Sequence, residues 1–339
     1  MWQMIGQERA VSLLQHSLET GMTAHAYLFV GPEHVGKMTL ALNLARALNC
    51  EAAERPCLEC NSCKKIAAGN HADVQVIGLM QNEDDEETKL IGIEQIKNIQ
   101  HDASLPPFEG KQKVFIIDGA ELMSTEAANC LLKTLEEPEK YVTFILLTTN
   151  DRRLLPTVIS RCQHLELAPL SLEEETKALA EKAGIAPEKA RLLAGLSHGC
   201  PGWAFGAIND GSVLEQREEE LNRVTNLIDA NFEERFDYVS KLAAGFNKDR
   251  SAVYDVLNTW LDYWHDLLLA RLGLTDMIVN IDRKDGIMKR AGNYSLASIE
   301  NFMHNIEAAA RQLSQNVNAR LALEVLMIDI PKEEVKSPV

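Results

Sequence analysis

Two short stretches of this 339-residue chain carry residue types at spacings that do chemistry. The first, "GPEHVGKMT" over residues 31–39, holds Gly31, Gly36 and Lys37 in the pattern of a phosphate-binding loop. Such a turn cradles phosphate oxygens with backbone N–H groups and a helix start, and its lysine reaches the outer phosphates. The second holds Cys50, Cys57, Cys60 and Cys63 within "CEAAERPCLECNSC". Four thiolates so spaced wrap one zinc ion tetrahedrally and leave it no open position, which makes the role structural. Cys57, Cys60 and Cys63 also match the start of an iron–sulfur run, with Cys200-Pro201 as a remote partner. His71 follows the cluster but is not needed as a ligand, and Cys130 and Cys162 read as buried small residues in apolar periods.

The phosphate loop is incomplete. Met38 stands where a serine or threonine would ligate magnesium, and Thr39 lies about 100° further round the helix. Asp118 ends an apolar run, where a carboxylate would hold the magnesium ion through water. Gly119 follows it, where many ATPases of this kind place a glutamate that orients the attacking water. Glu121, three residues past Asp118, is expected to fall short. The expectation is a nucleotide site built of Gly31, Gly36, Lys37, Thr39 and Asp118 that binds ATP or ADP weakly or not at all and does not hydrolyse it.

These residues need a scaffold, and the apolar pattern supplies one. "AYLFV" (26–30), "DVQVI" (73–77), "KVFIID" (113–118) and "TFILLTT" (143–149) are short apolar runs separated by amphipathic stretches such as 124–137, which Ser124 or Thr125 could cap. Strands apolar on both faces, alternating with helices, indicate a parallel α/β sheet. After "LELAPL" (165–170) the strand signals stop. Three helical stretches follow to about residue 207, with Pro201-Gly202 as a break before the third, and long helical periods from about 212 onward. The expected division is an α/β domain over 1–168 with its cysteine module at 50–63, a small helical lid over 169–211, and an all-helical domain over 212–339. Trp260 and Trp264 read as core of the last.

Composition narrows the function. The chain is 46% hydrophobic and 25% charged, with a net charge of −16. A protein that grips DNA alone shows a basic surface, so autonomous DNA binding is not expected. The acidic run at 82–88 reads as a solvated loop. No apolar run long enough to span a membrane and no secretory start are visible, so a cytoplasmic location is expected, where seven cysteines argue for metal or free thiols over disulfides.

Taken together, "MIGQERAVSLLQHSL", "HAYLFVGPEHVGK", the four cysteines, "LLKTLEEP", "LLTTNDRRLLPTVISRCQ" and "NVNARLALEVLMIDIP" resemble the bacterial DNA polymerase III clamp loader, within the AAA+ ATPases. The resemblance covers most of residues 1–168 and the end of the chain. It implies a ring of five subunits held by the C-terminal helical "collar" domains, with gamma/tau and delta subunits, the sliding clamp and, inside the complex, primer-template DNA as partners. It favours zinc at the cysteines. The catalytic gamma/tau subunit should keep the whole loop, the glutamate, and an arginine in a "G-S-L-R-D-A" stretch. Here that stretch is "GCPGWA" (199–204), with Gly202 at the arginine's place. The departures resemble the delta-prime group of subunits, the ring's stator; the alternative is a catalytic gamma/tau-like ATPase, against which Met38, Gly119 and Gly202 speak. In this family the arginine of Ser160-Arg161-Cys162 projects into a neighbouring subunit's ATP site, so Arg161 is implied as a catalytic group in trans, and the resemblance puts Thr148, Thr149 or Asn150 where a first phosphate-sensing side chain would be.

Overall fold

The computed structural model describes residues 2–79, 90–246, 249–315 and 317–333; the acidic run at 82–88 lies outside them. The chain divides into two compact units, Met1–Ala183 with Ser197–Trp203 and Gly184–Leu196 with Ala204–Val339.

In the first unit the apolar runs form a five-stranded, all-parallel sheet: β1 (Ala26–Val30), β2 (Val74–Ile77), β3 (Lys113–Asp118), β4 (Val142–Thr148) and β5 (Gln163–Glu166), in the order β2-β3-β4-β1-β5. Every residue of β4 is buried, as suits a central strand covered on both faces, whereas β2 sits at an edge and turns Val76 to solvent. Alternate residues feed two cores. Tyr27, Phe29, Ile116 and Ile145 pack with α1 (Glu8–Thr20) and α2 (Lys37–Asn49). Leu28, Phe115, Ile117 and Phe144 pack with α4 (Ile93–Ser104), α5 (Thr125–Glu136) and α6 (Pro156–Ile159), which follow the short α3 (Asn61–Ala67). From β1 the chain runs toward the β2 edge, and from β4 it runs the other way to β5. The ends of β1 and β4 therefore flank the point where the connections part, the place where ligands bind in open α/β sheets.

Local chemistry sets the boundaries. Ser124, not Thr125, caps α5, its hydroxyl accepting from Ala127 N at 3.1 Å. Asp73, expected within the second strand, lies just before it. Its buried carboxylate accepts from the backbone N–H groups of Phe108, Glu109 and Gly110 at 2.7–2.8 Å. The helical stretch 169–211 is shared by the two units: α7 (Leu172–Ala183) belongs to the first, α8 (Pro187–Leu196) to the second, and the boundary falls within α9 (Pro201–Asn209). Pro201 and Gly202 do not precede that third helix as a break but form its first turn, where a missing proline N–H costs nothing.

The second unit continues with α10 (Ser212–Asp229), α11 (Phe232–Phe246), α12 (Arg250–Arg271), α13 (Lys284–Ala291), α14 (Leu296–Ser314) and α15 (Ala319–Ile328). Trp260 and Trp264 are core, Trp264 standing edge-on to Phe302 with ring centroids 4.7 Å apart. Buried Arg235 donates to the carbonyls of Leu227, Ile228 and Met327, joining α10, α11 and α15. No helix among the described residues is long and apolar enough to cross a membrane.

Candidate functional site

A cleft of about 530 Å³ opens at the ends of β1, β3 and β4. Gly36 caps α2, Lys37 is the first residue of that helix, and Met38, Thr39, Asp118 and Gly119 line the same space. Gly31 opens the loop, its N–H donating to Thr148 O at 3.2 Å. The Lys37 ammonium is buried and donates to the carbonyls of Gly31 and Pro32, both at 2.7 Å. Two of its three protons are thus committed to the loop itself. Burial holds the Lys37 pKa down, against the upward pull of Glu121, Asp118 and Glu33. Burial likewise pushes the Asp118 carboxyl up. Met38 is partly buried against the core.

Glu121 departs from expectation. Gly119 adopts φ 73°, a left-handed conformation, and starts a 3-10 turn over Ala120–Leu122 that swings Glu121 back into the cleft. Its carboxylate accepts from Thr149 N at 3.0 Å and from Thr149 Oγ1 at 2.6 Å. Burial alone would raise its pKa, but hydrogen bonding, led by the two Thr149 donors and joined by Thr148, brings it below the ordinary glutamate value. The pair also sorts the sensor candidates. Thr148 and Thr149 line the cleft, while Asn150 caps the next turn by accepting from Arg152 N. The spacing of residues 118–121 could not reveal this, because the turn depends on one glycine's φ.

The segment 197–203 closes one side. Gly202 N donates to His34 O at 2.9 Å, and a Cβ at Gly202 would lie 2.7 Å from that oxygen. Backbone meets backbone there, with no space for a side chain. Leu170 N donates to Gly199 O at 2.8 Å, and Ser197 Oγ donates to Glu175 at 2.7 Å. Glu175 is fully buried, and burial pushes its carboxyl up to about 7 despite the Ser197 and Gly199 donors.

Arg161 lies between α6 and β5 and does not line this cleft among the described residues. Its guanidinium donates to Thr157 O at 2.9 Å and pairs with Glu136, the last residue of α5, at 2.6 Å, with about a third of the side chain exposed.

The four cysteines converge. Their sulfur atoms all lie within 4.8 Å of one another, and those of Cys57 and Cys63 are 4.0 Å apart. A tetrahedron with metal–sulfur bonds of about 2.3 Å has edges of about 3.8 Å, so the set fits one ion and leaves no room for a multi-iron cluster. Backbone N–H groups already point at the sulfurs: Cys57 N at Cys50 Sγ, Cys60 N at Cys57 Sγ, and Cys63 N at Cys60 Sγ, at 3.3–3.5 Å. Donors from Cys60 and Glu59 draw the Cys57 thiol down to about 6, while burial drives Cys63 up. Cys200 lies elsewhere, its thiol facing Glu175 and Lys37. His71 bonds Ser62 at 3.1 Å and is no ligand. Cys130 and Cys162 are partly, not fully, buried, because each sits at the margin of its core.

A family model described as "DNA polymerase III, delta subunit" matches residues 6–171, and one described as "DNA polymerase III, delta subunit, C terminal" matches residues 214–332. The chain is similar to DNA polymerase III subunit delta' of Bacillus subtilis (strain 168), 31% identical over 323 residues and 95% of either chain. It is also similar to DNA polymerase III subunit tau of Escherichia coli (strain K12), at 29% over 92% of this chain and 47% of that one. Subunit tau of Bacillus subtilis is 40% identical over 48% of this chain and 28% of its own.

Proposed function

The chain belongs to the DNA polymerase III delta-subunit family of clamp-loader subunits, and from that premise we propose that it is a stator of the delta-prime kind. It hydrolyses no ATP itself. It holds its place in a ring with gamma/tau and delta subunits through its C-terminal helices, and it lends Arg161 to the ATP site of a neighbour during loading of the sliding clamp onto primed DNA in the cytoplasm.

The observation that carries this reading is the separation of the two charge sites. Arg161 stands at an exposed margin away from the chain's own cleft, where two Lys37 protons and both Thr149 donors go to the chain's own residues. A guanidinium is a fixed cation with planar donors, suited to the charge that develops in phosphoryl transfer. The similar tau subunits support a second reading, an ATPase in its own right. Met38 and Gly119 speak against it, and so does Gly202, where the fold has no space for a side chain. The cysteine set is read as a structural zinc site that crosslinks the insert after α2.

The test is a loader reconstituted with gamma/tau, delta and either wild-type chain or Arg161→Ala. Clamp-stimulated ATPase and single-turnover clamp loading should both fall with the variant. Equal rates in two rings of proven composition would reduce the chain to a scaffold, and magnesium-dependent turnover by the isolated chain would favour the ATPase.

A further inference from the structure

Met38 and Gly119 account for a cleft that does not hydrolyse, but neither removes the cradle that binds phosphate. Gly36 still caps α2, and Lys37 still heads it with one proton to spare. A cleft that remained open to nucleotide would be an idle binding site. Something else must answer for binding, and the position of Glu121 supplies it.

A terminal phosphate needs free donors around Lys37. The N–H and hydroxyl of Thr149 offer two, and both are given to one carboxylate oxygen of Glu121. The other carboxylate oxygen is buried. Burial holds the Lys37 pKa down, while Glu121, Asp118 and Glu33 pull it up. Glu33, Asp118 and Glu121 line the same cleft as Lys37.

We infer that Glu121 is an internal anion that occupies the place of a nucleotide's terminal phosphate, holding the Thr149 donors in the cleft that Lys37 also lines, and so excludes nucleotide from it. This rests on the silent cleft of the preceding section and gives the silence a cause that one substitution reverses. The ligand class excluded is the polyphosphate of a nucleotide. An incoming phosphate has to displace a charged hydrogen-bond acceptor and then sit beside it, whereas a neutral side chain imposes neither cost.

The test is calorimetric titration of the full-length, metal-loaded chain with magnesium-ATP, magnesium-ADP and inorganic pyrophosphate. Glu121→Ala should bind at least one of the three on the order of tenfold more tightly than wild type, with Glu121→Gln between them. Lys37→Ala added to Glu121→Ala should abolish the gain, which assigns it to the loop. Thr149→Val should bring no gain, since it frees no donor. Circular dichroism and melting establish that each variant is folded. If folded Glu121→Ala binds no better than a silent wild type, Glu121 merely caps Thr149 and the inference fails while the stator reading stands. Tight binding with turnover by wild type would overturn both.

Discussion

Glu136 at the end of α5 holds Arg161, which lies before β5, through a 2.6 Å ion pair, while Thr157 O fixes a second guanidinium nitrogen. The pair keeps a long side chain in one orientation at the margin of the unit, at the expense of a carboxylate that competes for the same charge. Arginine fingers contribute about 10³–10⁵ in rate where they are the main cation, so both facts have consequences for a ring.

Arg161→Ala should lower clamp-stimulated ATPase at the one site it faces and leave folding untouched, because exposed ion pairs are worth about 0–1 kcal/mol. Arg161→Lys should behave closer to alanine than to wild type, since lysine lacks the planar fork. Glu136→Gln frees the guanidinium without removing it. Single-turnover loading should separate it clearly from Arg161→Ala, and a Glu136→Gln ring as slow as the Arg161→Ala ring would show that the ion pair itself is what matters.

The cysteine set should bind one zinc per chain, measured by metal analysis of protein purified without added metal. Cys60→Ser should lose it, since Cys60 both supplies a sulfur and caps α3 through Cys63 N. Structural zinc contributes on the order of 10 kcal/mol in isolated fingers, so residues 50–67 should lose amide protection on chelation while the sheet keeps its own. A colourless, metal-free wild type with unchanged protection would refute the assignment.

Gly202→Arg should damage the chain. Its Cβ would meet His34 O at 2.7 Å, and the Gly202 N–H bond to that oxygen would stretch. Even Gly202→Ala should cost about 1–3 kcal/mol in urea unfolding. A stable Gly202→Arg that turns over ATP would contradict this geometry.

Glu175 gives a pH dependence with a definite sign. Its folded carboxyl stands at about 7, above the ordinary 4.5, because burial disfavours the charge. The stability it contributes is therefore full below about pH 4.5 and is lost as pH rises through 7. Glu175→Gln keeps an acceptor for Ser197 and removes that loss. It should be more stable than wild type by about 1–3 kcal/mol near pH 8.5 and show no advantage near pH 4.5. Parallel stability curves across that range would mean Glu175 does not titrate there.

How much of this was legible in the sequence follows from the distance over which each feature is decided. The strands at 26–30 and 113–118 and the loop at 31–37 are written in consecutive residues, and the cysteine set in spacings of a few, so they could be read directly. The Gly202–His34 bond joins positions far apart in the chain, and no periodicity encodes it. The partner of Arg161 is hidden for the same reason. Glu121 is the instructive case: it is close to Asp118 in sequence, yet its direction depends on the left-handed turn at Gly119, which a glycine permits but does not announce.

The strand order carries a last consequence. Because the connections after β1 and β4 leave in opposite directions, the crevice between their ends is a product of threading, not of the residues that line it. Mutation can strip such a crevice of its chemistry one side chain at a time, but it cannot delete the hollow without rerouting the backbone. A lineage that abandons catalysis on this sheet inherits an empty room, and its remaining freedom lies in what it uses to furnish it.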